Sequence, residues 1–383
     1  MRKLLAAVTS PGVPTLHQLS KWILGAMIPW LLCALPAFAG DAGAATRGEV
    51  NVEALIQGGH WKRARTILEP LVKDHPQDPQ SCYELAEVKA AFKDLNGALT
   101  LAQHAVDLEG NNSNFHLKLG QVYGELAARA SMFSVGPLVL KFRKEVETAI
   151  QLMPTNLEAL DSMMLFKFQA PTVLGGSKEE ARVLAEKITA LSASEGYLAQ
   201  AELAELEKDT ARREANLVKA AQADPKNYSA VTTLAEYYSR SPHANYNEAA
   251  TGAQAAVKLD GTQIGGYWIL ARVYALEQST ADLEVTLSAA EKAVPDDLRP
   301  FYEAAQALME SGKDLRRAED LARHYLAQEP EGGEPEKADV HRLLGLLFEK
   351  EGRKAEALAE IQTALQLRPN FRAAKDDLKR MSN

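Results

Sequence analysis

Residues 338–369 read ADVHRLLGLLFEKEGRKAEALAEIQTALQLRP, and this stretch decides the fold. In its first half His341, Leu344, Gly345 and Phe348 fall at i, i+3, i+4 and i+7, one face of a 3.6-residue period. Gly352 follows as a helix stop, because glycine takes left-handed backbone angles without strain. In the second half Ala357, Ile361, Ala364 and Leu365 make another stripe, and Pro369 closes it. Gly345 and Ala357 have almost no side chain, so the two helix backbones are expected to approach closely while Phe348 and Ile361 fill the space beside them. One such pair is too thin to bury its own apolar face. The stretch therefore predicts neighbours of its own kind.

Those neighbours recur upstream. A short first pair carries Val52, Leu55 and Ile56, breaks at Gly58-Gly59, and resumes with Trp61, Ala64, Ile67, Leu68 and Leu71. Cys82, Leu85, Ala86, Ala98, Ala102 and Ala105 mark the next, and Pro76 to Gly110 spans 34 positions. Gly261 to Pro295 spans 34 again, with Tyr267, Leu270, Ala271, Tyr274, Leu283, Leu287 and Ala290 inward. The third pair is longer: Gly110 to Pro154 is 44 positions, with an apolar insertion over about 131–142. The fourth swings through an irregular loop at 170–177, APTVLGGS, and its end near Ser192 to Ser194 lacks a proline. Residues 370–383 read as a polar closing helix, which a stack of hairpins needs to hide its last apolar face.

This arrangement closely resembles the tetratricopeptide repeat, the helix–turn–helix unit of about 34 residues. The resemblance covers 49–369 and implies an all-α fold, a right-handed superhelical solenoid of about nine hairpins. Gly120, Tyr123, the insertion, and the run from Ala170 to Glu179 look like a pattern of exported bacterial tetratricopeptide proteins. The insertion's apolar residues, including Met132, Phe133, Leu138, Val139 and Phe142, either lengthen the helices and pack on Met163, Met164 and Phe168, or form a docking surface for a partner or a membrane over 132–142.

Hydrophobic residues make up 46% and charged residues 25%, the balance of a folded chain. The first forty residues stand apart. Arg2, Lys3 and Lys21 are basic, no acid precedes Asp41, an apolar run covers 22–35, and Ala37-Phe38-Ala39 has the small-x-small form of a cleavage site. Residues 1–39 thus read as a secretory signal peptide and 40–48 as a linker, which places the mature chain in the periplasm or outside the cell. The alternative is an inner-membrane anchor formed by residues 22–39. Removing the three basic residues of 1–39 takes the formal net charge from −8 to −11, which disfavours nucleic acid and anionic lipid. Cys82 then has no disulfide partner in the chain, and its apolar stripe predicts a buried core residue.

No catalytic constellation is present in the sequence. The histidines have no metal-ligand spacing, no phosphate loop follows a strand, and no nucleophile elbow occurs. Gly175-Gly176-Ser177-Lys178 reads better as a capped helix start than as an anion site, because Ser177 precedes Glu179 and Glu180. Arg212-Arg213 and Arg316-Arg317 are short and flanked by acids, as solvated helix faces are. The expectation is a protein that is no enzyme, with no cofactor and no metal.

What the resemblance implies instead is a groove lined by the first helix of each hairpin. Its lining would include Tyr83, Glu87, Lys118, Gln121, Glu202, Glu236, Trp268, Arg272, Tyr302, Gln306 and Arg342. Tyr83, Trp268, Arg272, Tyr302 and Arg342 are the residue types that anchor a protein or peptide partner. Trp268 and Tyr302 could equally pack within the array. The second reading is an accessory subunit that binds a small molecule or docks to a periplasmic uptake or envelope-assembly complex.

Overall fold

The computed structural model describes residues 51–131, 134–240, 242 and 244–382. The expected signal peptide, the expected linker to residue 48, and Met132 and Phe133 of the insertion lie outside the described residues. Every regular element among those described is helical.

The helices alternate along the chain as short antiparallel pairs of the tetratricopeptide type. They are α1 (Val52–Gln57), α2 (Trp61–Asp74), α3 (Pro79–Ala91), α4 (Leu95–Leu108), α5 (Ser113–Arg129), α6 (Val135–Leu152), α7 (Leu157–Gln169), α8 (Lys178–Leu191), α9 (Ala193–Leu206) and α10 (Thr210–Ala223). After them come α11 (Tyr228–Ser239), α12 (Tyr246–Leu259), α13 (Gly265–Glu277), α14 (Thr280–Ala293), α15 (Arg299–Ser311), α16 (Leu315–Leu326), α17 (Lys337–Lys350), α18 (Lys354–Leu367) and α19 (Arg372–Ser382). Two compact units result. One holds residues 51–53 and Ala64–Asp224; the other holds Ala54–Arg63 and residues 225–382.

In the first unit the hairpins pack through alanines. Ala86, Ala98, Ala102, Ala105, Ala149, Ala159 and Ala181 are buried, which lets the backbones close up. Cys82 is fully buried beside Ala105 and Phe115, as its stripe predicts. The insertion lengthens its hairpin: α5 has 17 residues and α6 has 18, against 13 or 14 in most others. Val135 and Val139 pack on Phe166 and Leu174, and Phe142 meets Phe166 with ring centroids 5.5 Å apart. The irregular loop is a 3-10 turn, Thr172–Leu174, closed by Gly175 at φ +97°. Ser177 then caps α8, its Oγ accepting from the Glu180 N–H at 3.2 Å. Where no proline separates α8 from α9, Ser192 serves both helices. Its N–H donates to the Ile188 carbonyl at 2.8 Å, and its Oγ accepts from the Glu195 N–H at 3.4 Å.

In the second unit a single apolar core runs from α13 to α19, with Phe301, Leu308, Leu321, Leu344, Phe348, Ile361 and Met381 buried in it. The closing helix α19 contributes Ala374 and Met381 and turns Lys375, Asp376, Lys379 and Arg380 outward. The distant segment Ala54–Arg63 completes this unit. The Lys62 N–H donates to Glu331 Oε1 at 2.7 Å, Lys62 Nζ donates to the Asp296 carbonyl at 2.6 Å, and Arg63 pairs with Asp296. Gly332, at φ +61°, lies so near Trp61 that a Cβ there would be 2.7 Å from the indole Cδ1.

Candidate functional surface

Each first helix buries one stripe against its own partner helix and a second against the next hairpin. The residues left over form a face that carries aromatic rings and a series of ion pairs from helix to helix.

In the first unit that face runs over α3, α5, α7 and α9. Tyr83 on α3 tilts against Phe115 with centroids 5.1 Å apart. Burial, then the neighbouring Glu87 carboxylate, pushes the Tyr83 phenol well above its ordinary range, so it stays a neutral donor. Glu87 pairs with Lys118 of α5 at 3.2 Å. Burial raises Glu87 although Lys118 opposes it. Burial alone would lower the Lys118 ammonium, but Glu87 and Glu158 outweigh it and hold it above its usual value. One turn along α5, Gln121 donates to Glu158 of α7 at 2.6 Å. Asp161, one turn beyond Glu158, is pushed up to about 7, by burial first and then by Glu158 and Glu195. Carboxylates outnumber the single ammonium here, so this stretch repels anions and holds a proton near neutrality.

In the second unit the corresponding face runs over α11, α13, α15 and α17. Its framing is local: Asn227 caps α11 by accepting from the Ala230 N–H at 3.0 Å, and the Gly266 N–H donates to the Tyr228 hydroxyl at 3.2 Å. Gly266 has no room for a side chain, since a Cβ would meet Val257 at 2.6 Å. Trp268 is half-buried, packs among Val257 and Ile264, and lies under the Arg240 guanidinium at 5.6 Å. Arg272 is only 5% exposed. Its Nη2 donates to Glu310 at 2.6 Å, and its Nη1 lies 3.5 Å from Glu303. Arg240 reaches Glu236 at 3.1 Å and Glu303 at 3.5 Å. Burial keeps Glu303 above its ordinary value despite the two arginines. Arg272 thus ties α13 to α15 and does not present itself to solvent.

Tyr302 and Arg342 do come together. They line one hollow of about 60 Å³ between α15 and α17, with Gln306, Met309, Asp339, Leu343 and Leu346. Arg342 Nε donates to Asp377 of the closing helix at 2.6 Å. Tyr302 leans on Tyr325, centroids 5.7 Å apart.

Of the five expected anchors, Tyr83 lies on the first unit's face, and Trp268, Tyr302 and Arg342 share the second unit's. Arg272 belongs to an ion network beneath it. Sequence reasoning missed Glu158, Asp161, Arg240, Asp339 and Asp377. The signal was there: the pairs Gln121–Glu158, Arg272–Glu303 and Arg342–Asp377 are 37, 31 and 35 positions apart, about one repeat. Among the described residues no group of three or more His, Cys, Asp or Glu side chains is placed to hold a metal ion. No described helix is long and apolar enough to cross a membrane.

No family model matches the chain, and no curated protein matches it. Solved structures do. A thermophilic tetratricopeptide protein of Thermus thermophilus is 21% identical, with 49% of this chain and 94% of that one covered at TM-score 0.43. A tetratricopeptide protein from Parabacteroides merdae is 15% identical over 68% of this chain and 99% of its own, TM-score 0.46. Yeast Tom70 is 13% identical over 86% of both chains, TM-score 0.47.

Proposed function

We propose that the chain is a non-catalytic scaffold that binds a protein or peptide segment along its first-helix faces. The observation that carries this reading is the make-up of those faces. The half-buried residues of those faces include Tyr83, Glu87, Lys118, Trp268, Arg240, Tyr302 and Arg342, held from one helix to the next by ion pairs and ring contacts. Such ties hold each side chain in one rotamer, so little freedom is lost when a partner lies across them. Aromatic rings beside guanidiniums supply the anchoring surface, and the carboxylates around them penalise anionic partners.

The leading segment 1–39 supports a place for this scaffold in the bacterial envelope, exported and then released or held by residues 22–39. Affinity capture from envelope extract tests the whole reading. Wild type should retain a discrete partner set that Trp268→Ala and Arg342→Ala each deplete, with circular dichroism unchanged. Retention of the full set by both variants would remove these faces from the binding role. N-terminal sequencing of the mature protein tests export, with Gly40 expected as the first residue.

A further inference from the structure

The hollow between α15 and α17 has walls of two kinds. Met309, Leu343 and Leu346 supply apolar surface, and Tyr302 and Arg342 supply donors. No described residue hydrogen-bonds the Tyr302 hydroxyl, whose ring is fixed by Tyr325. Burial, followed by Asp339 and Glu303, raises that phenol far above neutrality, so it stays protonated. Arg342 uses only its Nε, on Asp377, and sits over the Phe371 ring at 5.8 Å, which leaves both Nη groups for something else. The remaining acid is already taken. Asp339 receives both Nη groups of Arg368, at 2.5 and 3.4 Å.

The hollow therefore offers the donors of Tyr302 and Arg342, and beside them Gln306, whose amide nitrogen donates to Glu310 at 3.0 Å and whose amide oxygen is an acceptor. Its charges cancel in pairs, Arg342 with Asp377 and Asp339 with Arg368, so a full negative charge gains no net attraction there while losing its hydration. A neutral carbonyl oxygen needs only the donors. A volume of about 60 Å³ admits on the order of two to four waters, or one small aliphatic group.

We propose that this hollow is the subsite for one residue of an extended, uncharged peptide segment. The main-chain carbonyl oxygen accepts from the Tyr302 hydroxyl and an Arg342 Nη, and a valine- or leucine-sized side chain lies on Met309, Leu343 and Leu346. This rests on the peptide-binding reading above and adds the chemistry of one position.

The test is an amide-detected NMR titration of the full chain with N-acetyl-L-leucinamide, and in parallel with N-acetyl-L-leucine, which ends in a carboxylate. The amide should give saturating shifts confined to residues of α15 and α17, with a Kd of roughly millimolar order for so small a probe. Tyr302→Phe removes one oxygen and keeps the ring stack, and should weaken it at least fivefold. The carboxylate probe should bind at least fivefold more weakly than the amide. Equal or tighter binding of the carboxylate, shifts undiminished in Tyr302→Phe, or no shifts on these helices would each overturn the subsite. If the captured partner set still depends on Trp268, the wider peptide-binding reading survives that loss. If it does not, both fall.

Discussion

Gly345 and Ile361 meet face to face. A methyl group built on Gly345 would lie 2.7 Å from Ile361 Cδ1 and 3.1 Å from the Ala357 carbonyl oxygen. A bulky side chain at Gly345 would part α17 from α18. Gly345→Leu should destabilise the chain by about 2–3 kcal/mol through overpacking. Gly345→Ala should cost less, because the far end of Ile361 can rotate away and alanine favours the helix. A thermal melt of Gly345→Leu indistinguishable from wild type would contradict the contact.

Asp161 gives the first unit a pH response of known sign. Its folded value is about 7, and its unfolded value is about 4. The folded chain thus binds the extra proton. The stability this contributes is present below pH of about 4 and lost as pH rises through about 7. Asp161→Asn keeps the neutral form at every pH. Its melting temperature should fall less than that of wild type between about pH 5 and 8. Parallel curves would show that Asp161 titrates normally. Glu331, pushed up to about 7 chiefly by burial, adds a response of the same sign in the second unit, so the variant removes only part of the slope.

Gly332→Ala should loosen the segment Ala54–Arg63. A left-handed alanine costs about 1–2 kcal/mol, and the new methyl strikes the Trp61 indole. With 5-fluorotryptophan incorporated, the Trp61 resonance should move while that of Trp268 stays. An unmoved Trp61 signal would show that the segment is held without this contact.

Ser192 is a small, sharp case. Ser192→Ala removes the acceptor for the Glu195 N–H and should cost about 0.5–1 kcal/mol. Ser192→Gly should cost less than alanine in the same urea titration. A reversed order would mean the hydroxyl is not the cap.

Much of this architecture is legible in the sequence because it is written at short range. Gly352 stops α17 at φ +77°, Ser177 caps α8, and the missing proline near Ser192 is made good by a serine shared between two helices. What stays hidden depends on partners a repeat away. His341 falls on the apolar stripe by spacing, yet its Nδ1 lies 2.6 Å from Glu360. The core of α17 instead takes Val340, Leu343 and Leu347 as well. A single-face pattern undercounts a helix packed on two sides. Arg272 has the look of a ligand contact for the same reason: on α13 alone nothing reveals that Glu303 and Glu310 will close over it. The partnership of Lys62 with Glu331 spans 269 positions and has no periodic signal at all.

That last separation bears on how the chain is made. Residues 54–63 leave the ribosome some two hundred and more residues before Asp296 and Glu331 exist. During that interval Trp61 lacks its contact with Gly332, and Lys62 lacks the Asp296 carbonyl and the Glu331 carboxylate. The second unit is not complete with its own carboxyl-terminal hairpins alone, because it also takes in contacts 234 and 269 positions apart, and non-local pairing of this kind slows folding. Vectorial synthesis therefore makes Trp61 long before the Gly332 turn it lies against.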